Sequence, residues 1–142
     1  MTHGLDTSFL VAVEVRSHIE HAAARARFQR SLKAGDTFSL APQVLAEFIH
    51  VVTDPRRFSS PLTMEQAVER AETWWNAAEI HHVFPTAEST LLFLGWLEEH
   101  KLGRKRLLDT MLASTMQSSG VTSILTLDPN DFATFGNFTF PK

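Results

Sequence analysis

The chain has 142 residues, 44% of them hydrophobic and 20% charged, with no cysteine and a formal charge of −3. That length lets a single domain spanning residues 1–142 bury a core; the lack of thiols excludes disulfides and thiolate metal sites and suits a cytoplasmic protein. No apolar run approaches the roughly 18–20 residues of a membrane span, Asp6, Glu14 and Arg16 break up any signal-like stretch, and the charge excludes coating nucleic acid by bulk attraction while allowing a local basic patch.

His3 to Asp6 reads as a short first strand running into Thr7-Ser8 and an apolar helical start at Phe9, Leu10 and Val13. Residues 18–33 are rich in Ala and Arg, good helix formers, and Gly35-Asp36 turns the chain. Thr37 to Ala41 predicts a strand. Pro42 then opens a helix through Val44, Leu45, Phe48, Val51 and Val52. Thr63 and Gln66 form a capping-box pattern ahead of a helix carrying Val68, Ala71, Trp74 and Trp75. A strand is expected at 80–84, closed by Pro85, and a helix from Ala87 to about His100, stopped by Leu102-Gly103. A further helix runs from Arg104 to Ser119. It leads to a strand at Ser123–Leu127, a turn at Asp128-Pro129-Asn130 and a last apolar segment at Phe138–Phe140.

Strands alternating with helices imply an α/β fold with a mostly parallel sheet covered on both faces. In such sheets the functional crevice lies outside the carboxyl ends of the strands. Four acids fall where that rule directs attention. Asp6 ends the first strand and Asp128 follows the apolar strand Ile124–Leu127, while Glu47 shares a helical stripe with Val44, Phe48 and Val51, and Asp109 shares one with Leu112, Ala113 and Met116. An ionised carboxylate on the interior side of a helix needs compensation. Each acid could find it separately, Asp6 or Asp128 as a helix cap and Glu47 or Asp109 beside an Arg or Lys. Gathered in one crevice, they repel one another until a cation is bound. Oxygen donors without thiolates or a His-spacing motif suit Mg²⁺ or Mn²⁺ and metal-assisted phosphodiester hydrolysis, with a carboxylate orienting or deprotonating the attacking water. Thr7 and Ser8 could hydrogen-bond a carboxylate or a phosphate oxygen, or cap the first helix.

Asp6-Thr7-Ser8-Phe9-Leu10, Ala46-Glu47-Phe48, Leu108-Asp109-Thr110-Met111-Leu112-Ala113 and Thr126-Leu127-Asp128-Pro129-Asn130-Asp131-Phe132 together resemble the four signatures of PIN-domain ribonucleases, in order and across almost the whole chain. Among these the chain resembles the VapC-type toxins of type II toxin–antitoxin pairs. The resemblance implies a three-layer α/β/α domain with about five strands and a Mg²⁺ or Mn²⁺ centre that cuts RNA internally. It also implies a homodimer and a VapB-type antitoxin whose tail occupies the groove. Carried over by position, Asp6, Glu47 and Asp109 match the core acids, and Asp128 the fourth, with Asp131 as its competitor.

The basic run Arg104, Lys105 and Arg106, preceded by Lys101, could contact RNA phosphates or be solvated loop charge. Arg56 and Arg57 carry the same two readings, and Arg25, Arg27, Arg30 and Lys33 read as the solvent face of one helix. The seven histidines, His18 and His21 included, read as structural or surface residues, and Trp74, Trp75 and Trp96 as core or dimer interface. Two other functions remain compatible with these residues. One is a metal-dependent phosphoesterase or DNase; the other is a non-catalytic α/β binding module.

Overall fold

Four short parallel strands organise the computed structural model, which describes all 142 residues. They are β1 (Thr2–Leu5), β2 (Thr37–Leu40), β3 (Ile80–His82) and β4 (Ile124–Leu125), in the sheet order β3-β2-β1-β4. Phe38 faces His3 across β1 and β2, and Leu125 faces Leu5 across β1 and β4. Three of the four residues in β1 and in β2 are buried, as expected for a sheet covered on both faces. In β1 the polar-looking sequence THGL works because Gly4 leaves room for a helix side chain; a Cβ there would stand 2.9 Å from Met116 Sδ.

Between β1 and β2 lie α1 (Thr7–Glu14) and α2 (His21–Lys33); α3 (Pro42–Val52) and α4 (Met64–Asn76) lead to β3. After β3 come α5 (Ala87–Glu99), a 3₁₀ turn (Arg104–Arg106) and α6 (Leu107–Ser118), then β4 and a short α7 (Asn130–Ala133). α1 packs on α2 and α3, and α5 packs on α6. The first crossovers step outward from β1 to β2 and β3, whereas the α5–α6 crossover returns past β1 to β4. Right-handed connections in opposite directions place their helices on opposite faces. The result is the three-layer α/β/α arrangement. Phe9, Phe38, Phe48, Phe132, Leu5 and Met116 are fully enclosed between the layers. No helix is long and apolar enough to cross a membrane.

Several boundaries differ from the sequence expectation for local reasons. β4 holds two residues rather than five, because beyond Leu125 the chain turns to side-chain partners, the Asp128 N–H reaching the Thr126 hydroxyl at 3.0 Å. The last apolar segment, Phe138–Phe140, contributes only an isolated parallel bridge between Ser123 and Thr139, so the sheet has four strands plus that bridge in place of the about five that the resemblance implied. The helix expected from residue 18 begins at His21, since residues 18–20 turn and the Glu20 N–H is held by His18 Nδ1 at 3.0 Å. α5, by contrast, ends where expected, with His100 as its C-cap ahead of Leu102-Gly103 and Lys101 at a left-handed φ of 52°. The residues after Asp128, expected as a turn, close into α7.

The strand order reverses at one place, between β1 and β4. That is the switch point where a parallel sheet opens a crevice at its carboxyl edge. Asp6 leaves β1 at this edge, and Thr126 to Asp128 leave β4 beside it.

Candidate active site

Asp6 follows β1 and is the N-cap of α1, its Oδ1 accepting the Thr7 N–H at 2.9 Å. Its Oδ2 accepts two hydroxyls, from Ser8 at 2.9 Å and Thr126 at 2.7 Å. Those hydroxyls in turn accept backbone N–H groups, Ser8 from Leu127 at 3.1 Å and Thr126 from Asp128 at 3.0 Å. One carboxylate thus ties the carboxyl ends of β1 and β4 together. Burial pushes the Asp6 carboxyl above its ordinary value even though the three donors pull the other way, and Asp128 adds repulsion. The capping role anticipated for Asp6 is present, and it leaves the carboxylate facing the crevice.

Glu47 sits on α3 beside the buried stripe Val44, Phe48 and Val52, which half-buries it. Asp109 lies in the first turn of α6 and is half-buried too. Neither acid has an ion-pair partner, so the pairing with Arg or Lys allowed by the sequence does not occur. Burial and then repulsion from Asp6 push Glu47 upward. Asp109 is pushed up to about 7 by burial and by repulsion from Asp6, Asp131 and Glu47, against a smaller opposing pull from Arg106.

Asp128 is exposed and joins these three on the wall of one cleft of about 870 Å³, along with Thr7 and Ser8. The Thr7 hydroxyl is buried there without a hydrogen-bond partner. No three carboxylates stand close enough to grip a metal ion as placed. The donor set nevertheless fits a hard divalent cation. It is all oxygen, and Asp6, Glu47 and Asp109 are each pushed upward in part by a neighbouring carboxylate. None of the four acids has an ion-pair partner, Arg57 on the cleft wall being paired with Asp54 at 3.6 Å.

The PIN domain family model matches residues 5–137. The chain belongs to the PIN domain family. Among curated proteins, "Ribonuclease VapC24" of Mycobacterium tuberculosis is 27% identical over 141 residues, covering 93% of this chain and 90% of the relative. The crystal structure of VapC20 of M. tuberculosis, described as a sarcin-ricin loop cleaving toxin, superposes with a TM-score of 0.72 at 18% identity, covering 98% of this chain and 97% of that one. VapBC2 from Rickettsia felis, solved on a DNA fragment from its promoter, gives a TM-score of 0.68 at 18% identity over 99% and 97% of the two chains. At these identities the structures share the fold.

Of the other residues singled out from the sequence of this PIN domain, Arg57 and His18 line the cleft and the rest are dispersed. Asp131 is half-buried in α7 and reaches Asp109 through charge, but it does not line the cleft. Arg104 and Lys105 are exposed and lie off the cleft as well, while Arg106 donates from Nη2 to the Asp131 carbonyl. Trp74 and Trp96 are core residues, and Trp75 stacks on His82 at 3.5 Å. Three further residues contribute to the site although sequence reasoning assigned none of them a role there. Thr126 was visible as a hydroxyl two residues before Asp128, yet its bond to Asp6 spans 120 positions. His18 and Phe58 line the cleft from loops, where no periodicity marks which side a residue faces.

Proposed function

We propose that this PIN domain is a Mg²⁺- or Mn²⁺-dependent endoribonuclease and the toxin of a type II toxin–antitoxin pair. The observation that carries the reading is the convergence of Asp6, Glu47, Asp109 and Asp128, none of them in an ion pair, on the cleft at the β1–β4 switch point. The name of the relative VapC24 and the shared fold of VapC and VapBC structures support RNA as the substrate. The VapBC neighbour supports a VapB-type antitoxin as partner; the reading adds that this antitoxin blocks the cleft and that the toxin acts in the cytoplasm as a homodimer.

Asp6, Glu47, Asp109 and Asp128 would hold the ion, whose charge polarises the scissile phosphate and lowers the pKa of a nearby water. The protein's own groups do the rest. Three donors fix the orientation of Asp6. The carboxyl oxygens of Glu47 and Asp109 accept no hydrogen bond from the protein and remain available to orient or deprotonate water.

The test uses purified protein with Mn²⁺ on total RNA and on single-stranded DNA. RNA cleavage is expected, with loss of at least about 100-fold in Asp6→Asn and Asp109→Asn variants and complete loss with EDTA. Circular dichroism of the variants should match the parent. Undiminished cutting by either variant would sink the assignment, and cutting of DNA alone would replace RNA as the substrate.

A further inference from the structure

Beside the acid cleft lies a second cavity of about 580 Å³, and Ser17 and Phe58 line both, so one passes into the other. The two differ in charge. Glu14 is the lone acid on the second wall, and both its oxygens are engaged: Oε1 accepts Trp74 Nε1–H and Oε2 accepts Arg70 Nη1–H, each at 2.7 Å. Arg70 is thereby neutralised. Arg16, in the loop after α1, and Arg25, on α2, line the same wall with no ion pair to any acid of the chain. His21 stands one helical turn before Arg25, its Nδ1–H donated to the Ala12 carbonyl at 2.8 Å, which leaves Nε2 free.

Two uncompensated guanidiniums next to four uncompensated carboxylates form a dipolar groove in a chain of net charge −3. A polyanion approaching the acid cleft meets those carboxylates, and Arg57, the one guanidinium on that cleft's wall, is paired with Asp54 at 3.6 Å, so unpaired cations beside the cleft are the source of added affinity. Guanidinium matches phosphate geometry through paired N–H donors. We propose that Arg16 and Arg25 form a phosphate-binding subsite that grips the RNA backbone beside the scissile bond. Phe58, half-buried, lines both cavities at their junction and is the aromatic side chain there on which we place the intervening base. The subsite rests on the nuclease reading given above. It also moves the basic contribution from the 104–106 segment, which lies off the cleft, to the α1–α2 turn and α2.

The experiment measures binding of a fluorescein-labelled pool of single-stranded RNA 20-mers to the Asp109→Asn protein, which blocks turnover, across a salt series. Each neutralised phosphate contributes about 0.7 to the slope of log K against log salt for single strands. Adding Arg16→Gln and Arg25→Gln should flatten the slope by about 1.4 and weaken low-salt binding roughly tenfold or more. Arg30→Gln with Lys33→Gln, which removes the same charge from the far end of α2, should leave the slope within error. In the cutting-competent background the Arg16/Arg25 pair should raise KM for RNA far more than it lowers kcat. An unchanged slope in the Arg16/Arg25 variant, or an equal loss in the Arg30/Lys33 control, overturns the subsite. If the parent cuts RNA and the slope is unchanged, the subsite alone fails; if it neither binds nor cuts RNA, the nuclease reading fails with it.

Discussion

Asp109 shows how strongly one residue can register its surroundings. A carboxyl pushed up to about 7 binds a proton in the folded chain that the unfolded chain has released by then. Between its ordinary value and about 7, rising pH therefore lowers the stability of metal-free protein. Asp109→Asn removes that penalty. Its melting temperature should exceed the parent's at pH 8 without metal, and the difference should vanish at pH 4. A parent that is the more stable at pH 8 would contradict the crowding of acids described above. Thr126 makes a second case. Thr126→Val keeps the shape but leaves the Asp128 N–H and one lone pair of Asp6 without a partner. A loss of about 1–3 kcal/mol in urea unfolding is expected, with Thr126→Ser close to the parent. The four acids were legible from sequence because each interrupts an apolar stripe or ends a strand. The hydroxyls that orient Asp6 were not, because Ser and Thr are unremarkable at helix starts and strand ends.

At the scale of elements, the long helices and all four strands fall where the sequence places them, and only the lengths of β3 and β4 were overestimated. α4 announced itself through its capping box, which is present in full, and α3 through Pro42 and its apolar stripe. β1 and β4 are short and hold their register through buried neighbours rather than through propensity. Gly4 is the clearest example. Its missing side chain lets Met116 bring α6 down onto β1, and α6 carries Asp109. Gly4→Ala meets the flexible end of Met116, which can yield; Gly4→Val cannot be accommodated so easily and should cost about 1–3 kcal/mol by overpacking. Chemical denaturation of the two variants checks the order. A Gly4→Val protein as stable as the parent would mean that α6 does not rest on β1 this closely.

Across the whole molecule, the two ends of the sheet respond to pH in opposite senses. At the amino edge, Asp36 accepts from His3 at 2.9 Å and from the terminal amine at 3.1 Å, and these bonds hold its carboxyl below the ordinary range. Stability from Asp36 is present above its ordinary value of 3.8 and is lost as pH falls below it. At the carboxyl edge, Asp6, Glu47 and Asp109 are raised, and their contribution fades as pH climbs toward and past neutrality. Metal-free protein should accordingly be most stable in mildly acidic solution. Mn²⁺ should move that optimum to neutral or higher pH, because protons and cation compete for the same oxygens. Melting curves from pH 4 to pH 9, with Mn²⁺ and with EDTA, decide this; coincident optima would refute it. The layered architecture and the location of the site at one sheet edge were readable from the alternation of elements. The charge contrast along the groove was not, since it depends on Glu14 being engaged by residues of α4.

The bond between Asp6 and Thr126 also has a consequence in time. A chain emerging from the ribosome presents Asp6 first, then Glu47, then Asp109, and all three precede the strand that supplies Thr126 and Asp128. Until β4 docks against β1, Asp6 lacks its second hydroxyl and the cleft lacks one wall. Contacts between such distant positions close late, because the intervening loop must first be ordered. A nuclease built in this way has no complete cleft until the segment carrying Thr126 and Asp128 has been made and has docked.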